Sequence, residues 1–210
     1  MHLRRSECLQ RKTDIIYLWK ISPGRLLAKK DSGQIGWSVG LFFLVFLLVI
    51  IFMGIQVEQY QNISLYLEDA LAASNLASAI IDVEQYGISH DIVLTDPNSS
   101  YELCRSAIKA NLNLNQNWEH ENSYFIDGKV TLENYTIYNV VGDKVTIYRV
   151  NGDHSVSSSE GILGQVYAPC GTLVEGTGIY SEIAFPTRGI FGIRIIAHKG
   201  KLVDIQRGEK

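Results

Sequence analysis

The sequence predicts an α+β protein: an N-terminal transmembrane helix continuing into a long amphipathic helix, followed by a small, mainly antiparallel β-sheet ectodomain. Three observations carry this. One apolar run, between Gln34 and Gln56, holds no Asp, Glu, Lys or Arg. The stretch after it keeps an apolar stripe at helical spacing, and beyond residue 130 apolar and polar residues alternate with period two.

The run Ile35–Ile55 has the length of a membrane span, because a helix rising about 1.5 Å per residue covers the roughly 30 Å hydrocarbon layer in some 20 residues. Leu41–Met53 is almost purely Leu, Ile, Val and Phe, and Trp37 stands where aromatic rings favour the interface. A cleaved secretory signal is the rival reading. It requires a short basic n-region and a small-residue cleavage site, whereas here more than 30 residues precede the run and no A-x-A follows it. A net charge of −3 conceals an asymmetry: residues 1–33 carry eight Lys/Arg against three Asp/Glu, and the remainder carries eleven against nineteen. Positive charge stays on the cytoplasmic side. The predicted layout is thus a basic cytoplasmic segment (1–34), a single span (35–55), an extracytoplasmic amphipathic helix (56–87) and an α+β ectodomain (88–210) at the cell membrane. Gly36 and Gly40 form a G-x-x-x-G that lets a second membrane helix approach.

After the span, Tyr60, Ile63, Leu67, Ala70, Ser74, Ala77 and Ile81 recur every three or four residues, with no Gly or Pro from Val57 to Tyr86. One helix is predicted up to Gly87, a residue suited to a left-handed cap. Its small-residue stripe has two readings, packing on the chain's own sheet or packing between neighbouring copies of the helix. Asp96-Pro97-Asn98 signals a turn, and Ser99 with Glu102 reads as a capping box for a second helix ending near Leu112. The Asn-rich 113–122 is predicted to be a loop. Val130–Tyr148 reads as a hairpin turning at Gly142-Asp143, and serine-rich 151–161 as an exposed loop. Strands are predicted over 172–185, 190–197 and 202–205, the last two joined by a turn at Gly200-Lys201.

Cys104 and Cys170 both follow the span, on the oxidising side. They form either a disulfide, closing a loop worth about 4 kcal/mol in the chain-entropy model, or two buried thiols. Asn62, Asn98 and Asn134 head N-x-Ser/Thr triplets. The chain carries no G-x-S-x-G, H-E-x-x-H, Walker loop or C-x-x-C, so neither an enzyme nor a cofactor is expected. Glu119-His120-Glu121 and the trio Asp82, Glu84 and Asp91 read as solvated acidic stretches, not metal sites. The acidic balance beyond the span argues against nucleic acid as a partner.

The layout of a basic stretch ending Lys29-Lys30-Asp31-Ser32-Gly33-Gln34, one span and a helix leading into a small α+β domain resembles pilin-like proteins. It is most similar to the TadE-like minor pilins of the tight-adherence pilus system, on YLEDALAASNLASAIIDVEQYG (Tyr66–Gly87) and GIYSEIAFPTRGIFG (Gly178–Gly192). The resemblance implies prepilin cleavage between Gly33 and Gln34, but the fifth position after that bond is Ser38 where such substrates carry Glu. It therefore implies an anchored accessory of a pilus or secretion apparatus more than a major subunit. It also implies a helix packing face of Leu67, Ala70, Leu71, Ser74, Ala77 and Ile81, and as partners membrane lipid, other pilin-like subunits and assembly-platform proteins. The alternative is a tethered ligand-binding or sensing domain, which would need a partner for its cytoplasmic output.

Overall fold

The computed structural model describes residues 33–120, 126–188 and 193–205. The basic segment on which the orientation was predicted lies outside them. The chain divides into two compact units, Met1–Ile51 and Phe52–Lys210. In the first, the described residues form the opening turns of α1 (Gly33–Ala77), and the residues from Gly36 on are exposed all round. This is the one helix, among the described residues, long and apolar enough to cross a membrane.

The second unit is α+β. Five strands, β1 (Thr131–Val141), β2 (Lys144–Val150), β3 (Val156–Ile162), β4 (Gly178–Arg188) and β5 (Arg194–Asp204), form one antiparallel sheet in the order β3-β2-β1-β4-β5. The predicted β1–β2 hairpin is present. Val141 pairs with Lys144 across a two-residue turn, and Gly142 takes the φ of 59° that such turns need.

Period-two alternation sends the strands' side chains to opposite faces. On one face Tyr135, Ile137, Val150, Ile179, Ile183 and Phe185 cluster with Leu67, Ala70 and Leu71 of α1 and with Tyr101, Cys104 and Ile108 of α3 (Pro97–Asn111). Leu67 and Leu71 are buried, each contributing about 1.5–3 kcal/mol relative to exposure. On the other face Tyr138, Val145, Ile147 and Tyr180 are covered by Ala168 and Val174 from the β3–β4 connection. Tyr180 lies across β5 at Gly200, where an added Cβ would come within van der Waals overlap of the phenol oxygen.

Five predicted elements or boundaries are corrected. The amphipathic helix ends at Ala77, not at Gly87, because the Ser78 hydroxyl bonds back to the Asn75 carbonyl. The chain then turns into extended backbone, with Ile81 bridging Leu94. A separate α2 (Val83–Ser89) follows, capped by Asp82, whose carboxylate accepts from the Gln85 amide. Gly87 lies inside α2, and His90 supplies its left-handed end. In α3 the cap is Asp96, accepting from the Ser99 amide, so the expected Ser99 box sits three residues too late. Its end at Asn111 agrees with the prediction.

The serine-rich 156–162 is a strand, not a loop. As the sheet's edge β3 pairs only with β2 and exposes both faces, so no apolar alternation marks it. β5 runs unbroken through Gly200 and Lys201, where a turn was predicted. The expected strand at 172–185 begins at Gly178. The start of the expected strand at 190 falls outside the described residues.

Candidate functional site

The predicted packing face on α1 is occupied from within. Leu67, Ala70, Leu71 and Ser74 are buried against the chain's own sheet and α3, while Ala77 and Ile81 are exposed. Four of the six residues are therefore closed to a neighbouring helix. The exposed side of the same helix carries Asn62, Leu65, Asp69, Ala73 and Leu76 at intervals of three and four. Gly36 and Gly40 remain bare, with nothing within 4 Å of an added Cβ. Gly33 and Gln34 form the first positions of α1.

Of the two alternatives for the cysteines the structure shows free thiols, of which Cys104 is buried and Cys170 is not. Cys104 is fully buried beside Asn75, at 3.6 Å from its Oδ1, whereas exposed Cys170 bonds Thr172 in the β3–β4 connection. They belong to opposite faces of the sheet, which no local adjustment brings within the ~5.5–6 Å Cα separation a bridge takes.

Around Cys104 the structure builds a buried polar junction that period counting does not reveal. Asn75 donates to the carbonyls of Ile179 (3.2 Å) and Lys201 (3.0 Å), and its Oδ1 accepts from Ser181 (2.7 Å). One turn on, Ser78 and Ser100 both meet the Tyr135 hydroxyl, at 3.0 and 2.6 Å, and Ser100 donates to the Ser78 carbonyl. Burial pushes the Cys104 thiol up to about 12 and raises Tyr135 as well. Both stay protonated donors at neutral pH. Among the described residues no buried side-chain nitrogen or oxygen lacks a partner, so the junction acts as a lock between α1, α3 and the sheet. Beside it Glu68 receives Lys199 at 3.0 Å and Lys201, whose ammonium groups hold its carboxyl down at about 2.

A cavity of about 220 Å³ lies where α3 meets the start of β1. Its walls include Tyr101, Trp118, Arg105, Lys129 and Gly152. The Arg105 guanidinium sits 5.2 Å from the Trp118 ring and 5.7 Å from that of Tyr101, and it pairs with Glu102 at 3.2 Å. Trp118 has a φ of 65°, unusual for so bulky a residue. A cation between aromatic faces, with a lysine opposite, suits a small anionic or planar group.

On the face opposite the helices, Glu133, Glu182 and His198 bring a ligand atom each within 4.8 Å of one another. A bulge between Leu132 and Asn134 sets Glu133 beside its neighbours, where it meets His198 at 2.9 Å. Glu182 is held by Asn134 at 2.6 Å and by the Tyr180 hydroxyl at 3.2 Å. Both carboxylates are thus already engaged, Glu133 with His198 and Glu182 with Asn134 and Tyr180. Asp82, from the acidic stretch noted in the sequence, serves as a helix cap.

The chain is thus an α+β domain joined to a span-length apolar helix, with a polar lock at its core and one small basic-aromatic cavity. No family model matches it, and no curated protein or solved structure matches it significantly.

Proposed function

We propose that the protein is a membrane-anchored, pilin-like structural or accessory component of a surface pilus or secretion apparatus, with its sheet domain outside the cell. The observation that carries this is α1, a helix apolar and free of charge up to Val57, whose later turns become part of a domain core through Leu67, Leu71 and Asn75. A tether of that kind transmits position, not a diffusible signal. Contacts with other subunits fall to the exposed stripe Leu65, Ala73 and Leu76 and to the bare span with Gly36 and Gly40, since Leu67, Ala70, Leu71 and Ser74 are covered.

The test is deletion of the gene in its native host with restoration by the wild type and by Leu65→Asp/Leu76→Asp. Loss of surface filaments or of a secreted product, rescued by the wild type and not by the double variant, supports the reading. A deletion strain with normal filaments and secretion sinks it. The Arg105 cavity favours the second reading, a tethered ligand-binding domain. Retained ligand binding in a strain with normal filaments would establish that one instead.

A further inference from the structure

The cavity between α3 and the start of β1 has two cations in its walls and, among the described residues that line it, no carboxylate. Lys129 is exposed, and among the described residues its ammonium makes neither an ion pair nor a hydrogen bond. Arg105 gives Nη1 to Glu102 at 3.2 Å, while its Nε and Nη2 make no hydrogen bond among the described residues. Those two nitrogens share the side edge of the guanidinium, where their spacing matches the two oxygens of one carboxylate. The group is held in place because it lies over the Trp118 and Tyr101 rings, at 5.2 and 5.7 Å. Donors aimed in advance bind more tightly than donors that must first be ordered.

Trp118 is itself fixed through the main chain. Its φ of 65° is one that a bulky residue adopts only where its surroundings impose it, and such positions gather at ligand sites. The Val130 amide donates to the Trp118 carbonyl at 2.8 Å, and the Trp118 amide donates to the Asn115 carbonyl at 3.1 Å. The Asn115 side chain in turn accepts from the Asn117 and Glu119 amides, at 2.8 and 3.1 Å. These hydrogen bonds keep a half-buried indole in the cavity wall beside Arg105.

Size and charge narrow the ligand. The cavity measures about 220 Å³, more than the roughly 150 Å³ that takes up one benzene ring and less than the roughly 300 Å³ at which sites for drug-sized molecules begin. Tyr101 and Val130, both buried, give its closed end an apolar surface. Arg105 and Lys129 less the Glu102 carboxylate leave one net positive charge. A monocarboxylate balances that charge, whereas a phosphate dianion would exceed it and meet Glu102 as well.

We infer that this cavity is a binding site for a small aromatic monocarboxylate. The Nε–Nη2 edge of Arg105 and the Lys129 ammonium take the carboxylate, and the ring packs on Tyr101, Val130 and Trp118. The site goes beyond the structural role proposed above and supplies a ligand class for the tethered-binding alternative. It concerns the second unit alone, so it stands or falls independently of whether the chain enters a filament.

The test uses the full chain in detergent micelles with Trp19 and Trp37 replaced by phenylalanine, which leaves Trp118 as the sole indole. Its fluorescence is followed while benzoate, neutral benzamide or inorganic phosphate is added. Benzoate should give a saturable change and bind about tenfold more tightly than benzamide, as a charge-assisted pair requires. Lys129→Gln, a change at an exposed side chain, should weaken benzoate about tenfold at an unchanged urea midpoint, and Lys129→Arg should restore it. Lys109→Gln, on α3 outside the cavity, should leave binding as it was. Equal affinity for benzoate and benzamide, or an unaltered affinity in Lys129→Gln, overturns the inference. Phosphate binding as tightly as benzoate overturns the ligand class, and no saturable response to millimolar benzoate removes the site. None of these results bears on the filament test.

Discussion

The side-chain oxygen of Asn75 and the hydroxyl of Ser181, 106 residues apart in the chain, meet at 2.7 Å in the interior. Neither residue has any solvent-exposed surface. A helix that could roll on a purely apolar sheet is thereby held at one rotation and one height.

Replacing Asn75 by Leu removes this tie and strands the Ser181 hydroxyl. Loss of a satisfied buried amide should cost about 2–4 kcal/mol, against about 1 kcal/mol for Ser181→Ala. Urea denaturation of the detergent-solubilised chain measures both. The double variant should lose less than the two single losses together, because the stranded partner is gone. Additive losses would show that the contact is not coupled.

Cys104 and Cys170 should react at very different rates. Cys170 is exposed, whereas Cys104 is buried and its thiol is pushed up to about 12, so almost no thiolate forms at pH 8. In a Cys8→Ser background, maleimide should label one thiol in the native chain and a second after unfolding. Labelling that requires prior reduction would point to a bridge in the isolated protein.

Acid should weaken the attachment of β5 to α1. Lys201 and Lys199 hold Glu68 down at about 2 from an ordinary value of 4.5. A lowered folded-state value means the stabilisation is complete above pH 4.5 and disappears as the pH falls toward 2. Glu68 is partly exposed, so screening limits the effect to about 1 kcal/mol or less. Glu68→Gln should lower stability slightly at pH 7 and flatten the pH dependence between 4.5 and 2. An unchanged slope would mean that the two lysines pair elsewhere in solution.

The elements legible in the sequence were those whose burial is one-sided and regular. The β1–β2 hairpin alternates around a Gly-Asp turn, and α3 ends where its pattern does. β3 escaped because an edge strand with both faces in water needs no alternation, and Ser157–Ser159 look like a loop by composition. The end of α1 escaped for the opposite reason. Its apolar spacing continues to Ile81, yet Asn75 and Ser78 direct the backbone into the core before the pattern runs out, as short polar side chains do when they compete for main-chain groups. Gly200 suggested a turn because glycine is common in turns, but its place in β5 makes room for Tyr180. The Glu133, Glu182 and His198 trio joins residues far apart in sequence through strand pairing and a bulge, and the Arg105 cavity forms only where α3 packs beside the start of β1.

The second compact unit begins at Phe52, well before the first strand. A protease that separates this unit from the apolar run intact has to cut ahead of Tyr60. A cut at the α1–α2 connection would instead free a sheet stripped of Leu67, Leu71 and Asn75, with its greasy face open to aggregation.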